Sequence, residues 1–359
     1  MSTPPLALIA ELTHRCPLSC GYCSNPLELE RAASELPTEV WTRIFSEAAD
    51  LGVLHAHFTG GEPMSRRDLP ALIGAASRAG LYTNLITSGV TLDDRALGAL
   101  IDAGVDHVQL SFQDSEPTTA DAIGGYRGGH ARKLAAAARV TSARLSLTAN
   151  FVVHRSNLHN INEMLALGDD IGASRIEIAH VQYHGWALKN RAALMPTFEQ
   201  LEVATAAVEA ARDRLKGRVV VDYVIPDYFA SRPKACMGGW GQRIINVTPA
   251  GLAMPCHAAM SLPGLTFPSV REHSLADIWN NSEVFQQFRA PAFAPDSCRG
   301  CERLEIDFGG CRCQAHALTG DATRADPVCA LSPDHGLIAA ALGGPASETV
   351  IPRRMTAPD

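Results

Sequence analysis

Residues 6–23 read LALIAELTHRCPLSCGYC, an apolar run followed by a short loop that carries three cysteines. The apolar residues at about 6–11 predict a β-strand, and Cys16, Cys20 and Cys23 come directly after it. A structural zinc site or a ferredoxin cluster takes four ligands, so three cysteines leave one coordination position open. A zinc loop that takes His14 as its fourth ligand is the alternative. The stretch predicts a metal or iron-sulfur site at the end of a strand.

The same strand pattern recurs along the chain. Five further strand-like runs lie at about 54–59, 81–87, 106–112, 145–153 and 175–181. Helical patterns alternate with them or follow them, at 38–51, 93–102, 130–140, 159–170 and 197–215. Repeated βα units predict an α/β fold with a parallel sheet. Unusual residues gather after the strands, where catalytic barrels hold their active sites.

Composition narrows the class of protein further. With 359 residues, 46% of them apolar and 19% charged, the chain can bury one large core or two ordinary ones, which excludes a disordered or fibrous protein. The net charge of −7 provides no basic field for nucleic acid or anionic lipid. Neither an apolar run of about 18 residues nor a signal peptide is recognisable, so we expect a cytoplasmic protein.

Seven more cysteines lie in the last third of the chain, after a long stretch that has none. They are Cys236, Cys256, Cys298, Cys301, Cys311, Cys313 and Cys329. Together with Asp307 they make eight candidate ligands, enough for two four-ligand sites. By spacing alone, two structural zinc ions are as good an interpretation as two clusters. We expect a core domain at 1–216, a ligand-stabilised domain rich in Pro, Gly and Cys at 217–335, and a short helix with a loose tail at 336–359.

The spacing Cys16-x3-Cys20-x2-Cys23 resembles the signature of the radical S-adenosylmethionine (SAM) enzymes. That resemblance implies a partial (β/α)6 TIM-like barrel and a [4Fe-4S] cluster whose open iron chelates SAM. One βα unit further on, Gly60-Gly61-Glu62-Pro63 resembles the loop that contacts the amino group of SAM in this family. The resemblance also implies SAM contacts at positions that are Ser111, Gln113 and Asn150 in this chain.

The second cysteine group resembles the SPASM domain, which holds two auxiliary iron-sulfur clusters of the [4Fe-4S] or [2Fe-2S] type. The resemblance implies that one cluster is held by Cys236, Cys256, Cys311 and Cys313, and the other by Cys298, Cys301, Asp307 and Cys329. The general motif has a cysteine where this chain has Asp307. That departure is either a lost ligand or an oxygen ligand to iron.

Four longer strings resemble one family of such enzymes, the PqqA peptide cyclases of pyrroloquinoline quinone (PQQ) biosynthesis. They are CSNPLEL (23–29), VQYHGWAL (181–188), CMGGWG (236–241) and IDFGGCRCQ (306–314). The resemblance implies a carbon-carbon crosslink between Glu and Tyr side chains of the peptide PqqA, with SAM cleaved reductively to methionine and a 5′-deoxyadenosyl radical. It also implies as partners PqqA, the peptide chaperone PqqD and a reductant such as flavodoxin. A SPASM enzyme that modifies another peptide, and a non-catalytic zinc or electron-transfer protein, are the alternatives.

Overall fold

A computed structural model of the chain describes residues 3–225, 227–289, 292–347 and 349–356. Its strands form one sheet in the order β7-β6-β5-β4-β3-β2-β1-β8-β9. All neighbouring strands are parallel except β8 and β9, which are antiparallel. The strand bounds are β1 Ala7–Thr13, β2 His55–Gly60, β3 Tyr82–Thr87, β4 His107–Phe112, β5 Ser146–Val153, β6 Arg175–His180, β7 Val220–Val224, β8 Ile244–Val247 and β9 Ala253–Met254.

Helices connect the strands, and short 3₁₀ turns lie between them. The helix bounds are α1 Thr38–Asp50, α2 Leu69–Arg78, α3 Asp94–Ala103, α4 Pro117–Gly124, α5 Gly129–Ser142, α6 Ile161–Asp170, α7 Gly185–Lys189, α8 Arg191–Leu194, α9 Phe198–Leu215, α10 Leu275–Asn281, α11 Glu283–Gln286, α12 Leu304–Asp307, α13 Arg312–Thr319 and α14 Gly336–Leu342. The predicted α/β fold is confirmed, because β1 to β6 form six consecutive parallel βα units whose strand bounds lie close to those expected from the sequence. The helices α2 and α4 were not among those expected. No helix of the described residues is long and apolar enough to cross a membrane.

The two faces of the sheet differ in polarity because side chains alternate along each strand. In β1, Leu8, Ala10 and Leu12 are fully buried in the core cluster, to which the helices also contribute. The Phe58 ring of β2 lies 5.4 Å from the Phe45 ring of α1 in the same core. The alternate residues, such as Glu11, line a cavity on the other face. The sheet therefore presents its polar face to a cavity inside the partial barrel.

Three strands come from the sequence after residue 216, where no strand was expected. β7 extends the sheet beyond β6, while β8 pairs in parallel with β1 and β9 pairs with β8. The sheet thus continues past the expected domain boundary at 216. β8 has four residues and β9 has two, so neither is long enough to show a periodic pattern between Gly, Pro and Cys.

The end of the chain differs from the loose tail that its polar composition predicted. The short helix is present as α14, but residues 349–356 lie against the three-cysteine loop instead of extending into solvent. The Ile351 amide donates a hydrogen bond to Asn190 Oδ1 at 2.8 Å, and Arg353 is buried. Polar backbone groups of the tail pair with the loop, a contact that composition does not encode. Residues 348 and 357–359 of the tail lie outside the described part of the chain.

Candidate active site

The loop after β1 brings Cys16, Cys20 and Cys23 to one cavity of about 170 Å³. The ends of three further strands complete its wall. These additional lining residues include Gly60, Gly61, Thr87, Ser88, Ser111, Gln113 and Arg353. The cysteines and four of the predicted SAM contacts are therefore in one place, at the carboxyl ends of parallel strands. None of the ten cysteines is in a disulfide.

Burial makes these three thiols poor acids. It raises the pKa of Cys16 to about 12, and it also raises the pKa of Cys20 and Cys23. Lys133 counteracts this effect at Cys20, and Arg353 does so at Cys16 and Cys23. Three soft donors beside two cations suit a metal group, whose positive charge stabilises thiolates. The donor set fits an iron-sulfur cluster with one open position.

The imidazole of His14, the alternative fourth ligand, contacts residues that do not line the cysteine cavity. Its Nδ1 accepts a hydrogen bond from the Glu30 amide at 2.9 Å, and its Nε2 lies 3.7 Å from Glu11 Oε2. His14 is not among the residues that line the cysteine cavity.

Gly60 and Gly61 allow two segments of backbone to approach closely. The Gly61 amide donates to the Thr13 carbonyl at 2.6 Å, and Gly60 has a φ of +124°. A Cβ on Gly60 would overlap the Thr13 carbonyl oxygen, and one on Gly61 would overlap the carbonyl oxygen of Arg15. We expected these glycines to let backbone approach a ligand. Instead, the closest approach is to the chain just before Cys16, while both glycines also line the cavity.

Glu62 and Pro63 are not among the cavity-lining residues, although the sequence grouped them with the glycines. The buried Glu62 carboxylate accepts hydrogen bonds from the Thr87 hydroxyl at 2.6 Å and the Ser88 amide at 2.8 Å. Pro63 begins a 3₁₀ turn that packs into the core. A carboxylate buried this deeply needs donors, and the end of β3 and the loop after it provide them. Glu62 therefore fixes one wall of the cavity from behind.

Ser111 and Gln113 line the cysteine cavity, and both are linked to a buried lysine that the sequence analysis did not single out. Lys133 Nζ donates to the Ser111 carbonyl and to Gln113 Oε1, each at 2.6 Å. Gln113 Nε2 donates in turn to the Tyr22 hydroxyl at 2.9 Å. Burial lowers the pKa of Lys133 to about 8. A lysine on the otherwise apolar face of α5 is the sequence feature that could have indicated this buried position.

Asn150 lines a second, larger cavity of about 620 Å³ inside the barrel. Its Nδ2 donates to Glu177 Oε2 at 2.6 Å, and burial raises the pKa of Glu177. Tyr22, Cys23, Thr59, Gly60 and Ile86 line both cavities, which are therefore adjacent. The larger cavity is also lined by Met237 and His257, the neighbours in sequence of Cys236 and Cys256.

Tyr183, His184 and Trp186 follow β6, and the sequence predicts that they either line a peptide channel or pack the domain junction. Tyr183 and Trp186 are buried, and Tyr183 lies in an apolar cluster with Tyr228, 5.2 Å between ring centroids. Neither residue is among those lining the large cavity, which instead includes Val181 and Gln182 from this segment. These aromatic rings therefore contribute to packing.

One predicted auxiliary site brings its four members together in the interior. The Cys311 thiol contacts those of Cys236 and Cys313, and Cys313 also contacts Cys256. Hydrogen bonding to Cys311, reinforced by burial, raises the pKa of Cys236. Four such thiols ionise together only beside a strong positive charge, so the donor set fits an iron-sulfur cluster.

The other auxiliary set lines a separate cavity of about 490 Å³. All four of its members, Cys298, Cys301, Asp307 and Cys329, are among the lining residues. Asp307 accepts hydrogen bonds from Arg303 at 3.3 Å and from the Gly309 amide at 3.1 Å, and Arg232 donates to Cys329 Sγ at 3.4 Å. Three thiols and a carboxylate around a cavity fit a cluster with one oxygen ligand. Among the described residues, no group of three or more His, Cys, Asp or Glu has the arrangement of a single-ion site.

Two family descriptions match this sequence. The Radical SAM superfamily matches residues 10–168, and the SPASM iron-sulfur cluster-binding domain matches residues 236–302. These matches contain the Cys16 loop, Gly60-Gly61-Glu62-Pro63 and the first four auxiliary cysteines. The protein is a radical SAM enzyme with a SPASM domain, and both families imply SAM and iron-sulfur clusters as cofactors.

Curated relatives define the family more closely. A PqqA peptide cyclase of Granulibacter bethesdensis is 58% identical over 361 residues, covering 100% of this chain and 94% of the relative. One of Gluconobacter oxydans is 58% identical over 335 residues and covers 93% of both chains. The chain belongs to the PqqA peptide cyclases, the radical SAM peptide cyclases of PQQ biosynthesis.

Solved structures support the fold. Streptococcus suis SuiB bound to S-adenosylmethionine has a TM-score of 0.74 at 20% identity, covering 90% of this chain and 77% of SuiB. The enzyme anSMEcpe with bound AdoMet and a peptide has a TM-score of 0.66 at 17% identity, covering 94% of this chain and 99% of that protein. The partial barrel with a C-terminal SPASM domain is thus confirmed as the fold class.

Proposed function

We propose that this enzyme joins a Glu and a Tyr side chain of the peptide PqqA by a carbon-carbon bond. One observation carries the proposal: the large cavity is lined by residues from, or next to, both groups of cysteines. It shares Cys23 with the cysteine cavity, and it reaches Met237 and His257 beside the first auxiliary set. A peptide segment in this cavity would lie near both the SAM site and an electron acceptor.

The proposed ligands follow the sequence prediction. Cys16, Cys20 and Cys23 would hold the [4Fe-4S] cluster that binds SAM. Gly60, Gly61, Ser111 and Gln113 would contact SAM from the cavity wall, Asn150 would do so from the larger cavity, and Glu62 and Pro63 would hold the wall in place. Two auxiliary clusters, each [4Fe-4S] or [2Fe-2S], would occupy the two remaining sets.

The chemistry requires a radical because an unactivated Glu γ-CH2 has no proton that an ordinary side-chain base can remove. When bound and reduced, the first cluster would supply an electron that cleaves SAM to methionine and a 5′-deoxyadenosyl radical, which takes a hydrogen atom from the Glu side chain. The resulting carbon radical would add to the Tyr ring ortho to the hydroxyl. Restoring the aromatic ring then requires the loss of one electron and one proton.

Residues of the large cavity support the second half of the proposed reaction, the loss of an electron and a proton. His257 follows Cys256 in the chain and lines the large cavity, and desolvation lowers its pKa, which favours the neutral imidazole as a proton acceptor. Glu177 is held by Asn150 at 2.6 Å, and burial raises its pKa. The electron would leave through the auxiliary clusters, in which Asp307 is the proposed oxygen ligand.

PqqA as the substrate follows from the relatives, which are named PqqA peptide cyclases. The peptide chaperone PqqD and a flavodoxin-like reductant are proposed as further partners, with a cytoplasmic location. The structure of SuiB bound to precursor peptide SuiA provides a comparison, since that enzyme has the same fold and binds a peptide.

The test is an anaerobic incubation of reconstituted enzyme with SAM, reductant, PqqA and PqqD. Mass spectrometry of the peptide and chromatography of 5′-deoxyadenosine are the two measurements. We expect a loss of two hydrogens localised to one Glu-Tyr pair, and no such product from a variant with Cys16, Cys20 and Cys23 all replaced by Ala. Deoxyadenosine without a crosslink would indicate another substrate. The absence of both products from fully clustered enzyme would favour an electron-transfer protein.

A further inference from the structure

Residues 349–356 cross the three-cysteine loop, and we call this segment the C-terminal strap. The Cys16 amide donates to the Met355 carbonyl at 3.0 Å, and the Arg353 amide donates to the Ser19 carbonyl at 3.0 Å. The strap is therefore bonded to the loop on both sides of Pro17 and Leu18. No other described segment after α14 contacts the loop in this way.

Asn190 fastens the strap to the second half of the loop. Its Nδ2 donates to the carbonyls of Gly21 and Ile351, both at 2.8 Å, and its Oδ1 accepts from the Ile351 amide at 2.8 Å. A Cβ on Gly21 would overlap the Val350 side chain. The loop and the strap are therefore in direct contact, with no room for a side chain at Gly21.

The strap carries Arg353 into the cysteine cavity. Arg353 is 3% exposed and is one of the residues that line this cavity. Its Nη2 donates to the His14 carbonyl at 2.6 Å, while its buried Nε has no hydrogen-bond partner among the described residues. No carboxylate of the described part of the chain forms an ion pair with it.

Arg353 lines the same cavity as Cys16, Cys20 and Cys23. A hydrogen bond joins its guanidinium to the sulfur of Cys23. A buried cation with a free N–H donor therefore lies beside two of the three proposed cluster ligands. This arrangement suits an anionic group, such as a thiolate-bound cluster, better than an empty space.

We propose that the C-terminal strap is part of the iron-sulfur site and that Arg353 is a positioning residue that makes the cluster easier to reduce. The inference rests on the proposed function, because it takes the Cys16 loop to hold a cluster. A fixed positive charge stabilises the state that carries one more electron, and a hydrogen bond to a ligand sulfur acts in the same direction. Reduction of this cluster is the step on which SAM cleavage depends.

The test measures the midpoint potential of the cluster in the full-length, anaerobically reconstituted enzyme. Iron and sulfide are quantified first, and the titration is followed by electron paramagnetic resonance using the signal that changes when SAM is added. For Arg353→Gln we expect at least a tenfold shift of the one-electron reduction equilibrium toward the oxidised cluster, about 59 mV. Arg353→Lys keeps the charge and should shift less. Arg354→Gln, which removes an exposed neighbouring charge, should leave the potential unchanged.

A wild-type potential in Arg353→Gln would overturn the inference, as would an equal shift in Arg354→Gln. If Arg353→Gln assembles no cluster, Asn190→Ala is measured instead, and a wild-type potential in a variant whose strap amides exchange faster would overturn the inference. A wild-type enzyme without any SAM-responsive iron-sulfur signal would contradict the proposed function itself. A responsive signal that Arg353→Gln does not shift would contradict only the role of Arg353.

Discussion

The hydroxyl of Thr87 donates a hydrogen bond to the buried carboxylate of Glu62 at 2.6 Å and so joins the end of β3 to the loop after β2. The Ser88 amide donates to the other oxygen at 2.8 Å. Both segments contribute to the wall of the cysteine cavity. The position of this wall therefore depends on a carboxylate that is not itself among the lining residues.

Replacing Glu62 by Gln should destabilise the protein. The amide NH2 of Gln would face a hydrogen-bond donor at a position where the carboxylate oxygen accepts a hydrogen bond. We expect the free energy of unfolding to fall by about 1–3 kcal/mol. Chemical denaturation measures it. Glu28→Gln, at an exposed position just after the cysteine loop, is the matched control and should change it by less than about 0.5 kcal/mol. Equal stability of the two variants would contradict the structural role of Glu62.

Gly60 and Gly98 should respond oppositely to replacement by Ala. A Cβ on Gly60 would overlap the Thr13 carbonyl oxygen at a φ of +124°, so Gly60→Ala should cost about 1–3 kcal/mol of unfolding free energy. Gly98 lies inside α3 with nothing within 4 Å of the added Cβ. Gly98→Ala should therefore stabilise by about 0.5–1 kcal/mol. Thermal denaturation of both variants checks the pair, and destabilisation by Gly98→Ala would mean that the neighbours of α3 leave no room for a methyl group.

Asn190→Ala should release the C-terminal strap, because it removes three hydrogen bonds that join Gly21, Ile351 and Asn190. Hydrogen exchange followed by mass spectrometry should show faster exchange of the Ile351 and Cys16 amides. We expect about 1–3 kcal/mol less protection. Asn281→Ala, at an exposed position on α10, should leave these amides unchanged. Unaltered protection in Asn190→Ala would mean that other contacts hold the strap.

His154 should make the protein less stable in mild acid. Burial lowers its pKa from 6.5 to about 4, so between these values the unfolded chain binds a proton that the folded chain does not. The free energy of unfolding should therefore fall as the pH decreases through this window, by about 1.4 kcal/mol per unit at most, and His154 should have no such effect above it. His154→Gln should flatten the stability profile, whereas the exposed His159→Gln should retain the wild-type slope. Identical slopes in wild type and His154→Gln would refute the assignment.

Asp307→Ala should separate SAM cleavage from crosslinking. The side chain lines the cavity of Cys298, Cys301 and Cys329 and not the cavity of Cys16, Cys20 and Cys23, so 5′-deoxyadenosine formation should be largely retained. Crosslinked PqqA should decrease by about tenfold or more, as expected when a group at a metal site is removed. Asp296→Ala, an exposed residue near Cys298, is the control. Unchanged crosslinking by Asp307→Ala would exclude a role for this carboxylate in electron removal.

Much of the core fold could be predicted because its signals are local. The strands β1 to β6 each show their apolar pattern within a few residues, and the helices between them show theirs within three or four turns. The grouping of the auxiliary ligands came from the family resemblance, and the structure places each set of four together. The strand β8 could not be predicted, because four residues next to β1 carry no periodicity of their own.

The sequence by itself predicted the fold class and the spacing of the candidate cysteine ligands, because strand periodicity and cysteine spacing belong to the covalent chain. It also indicated that the glycines after β2 allow a close backbone approach, but not which atoms lie at that distance. Tertiary structure alone decided that Glu62 contacts Thr87 and that Arg353 reaches the carbonyl of His14, 339 positions away in the chain. Such pairs depend on the tertiary fold. A buried polar group can bond only with the groups that the folded backbone brings close to it.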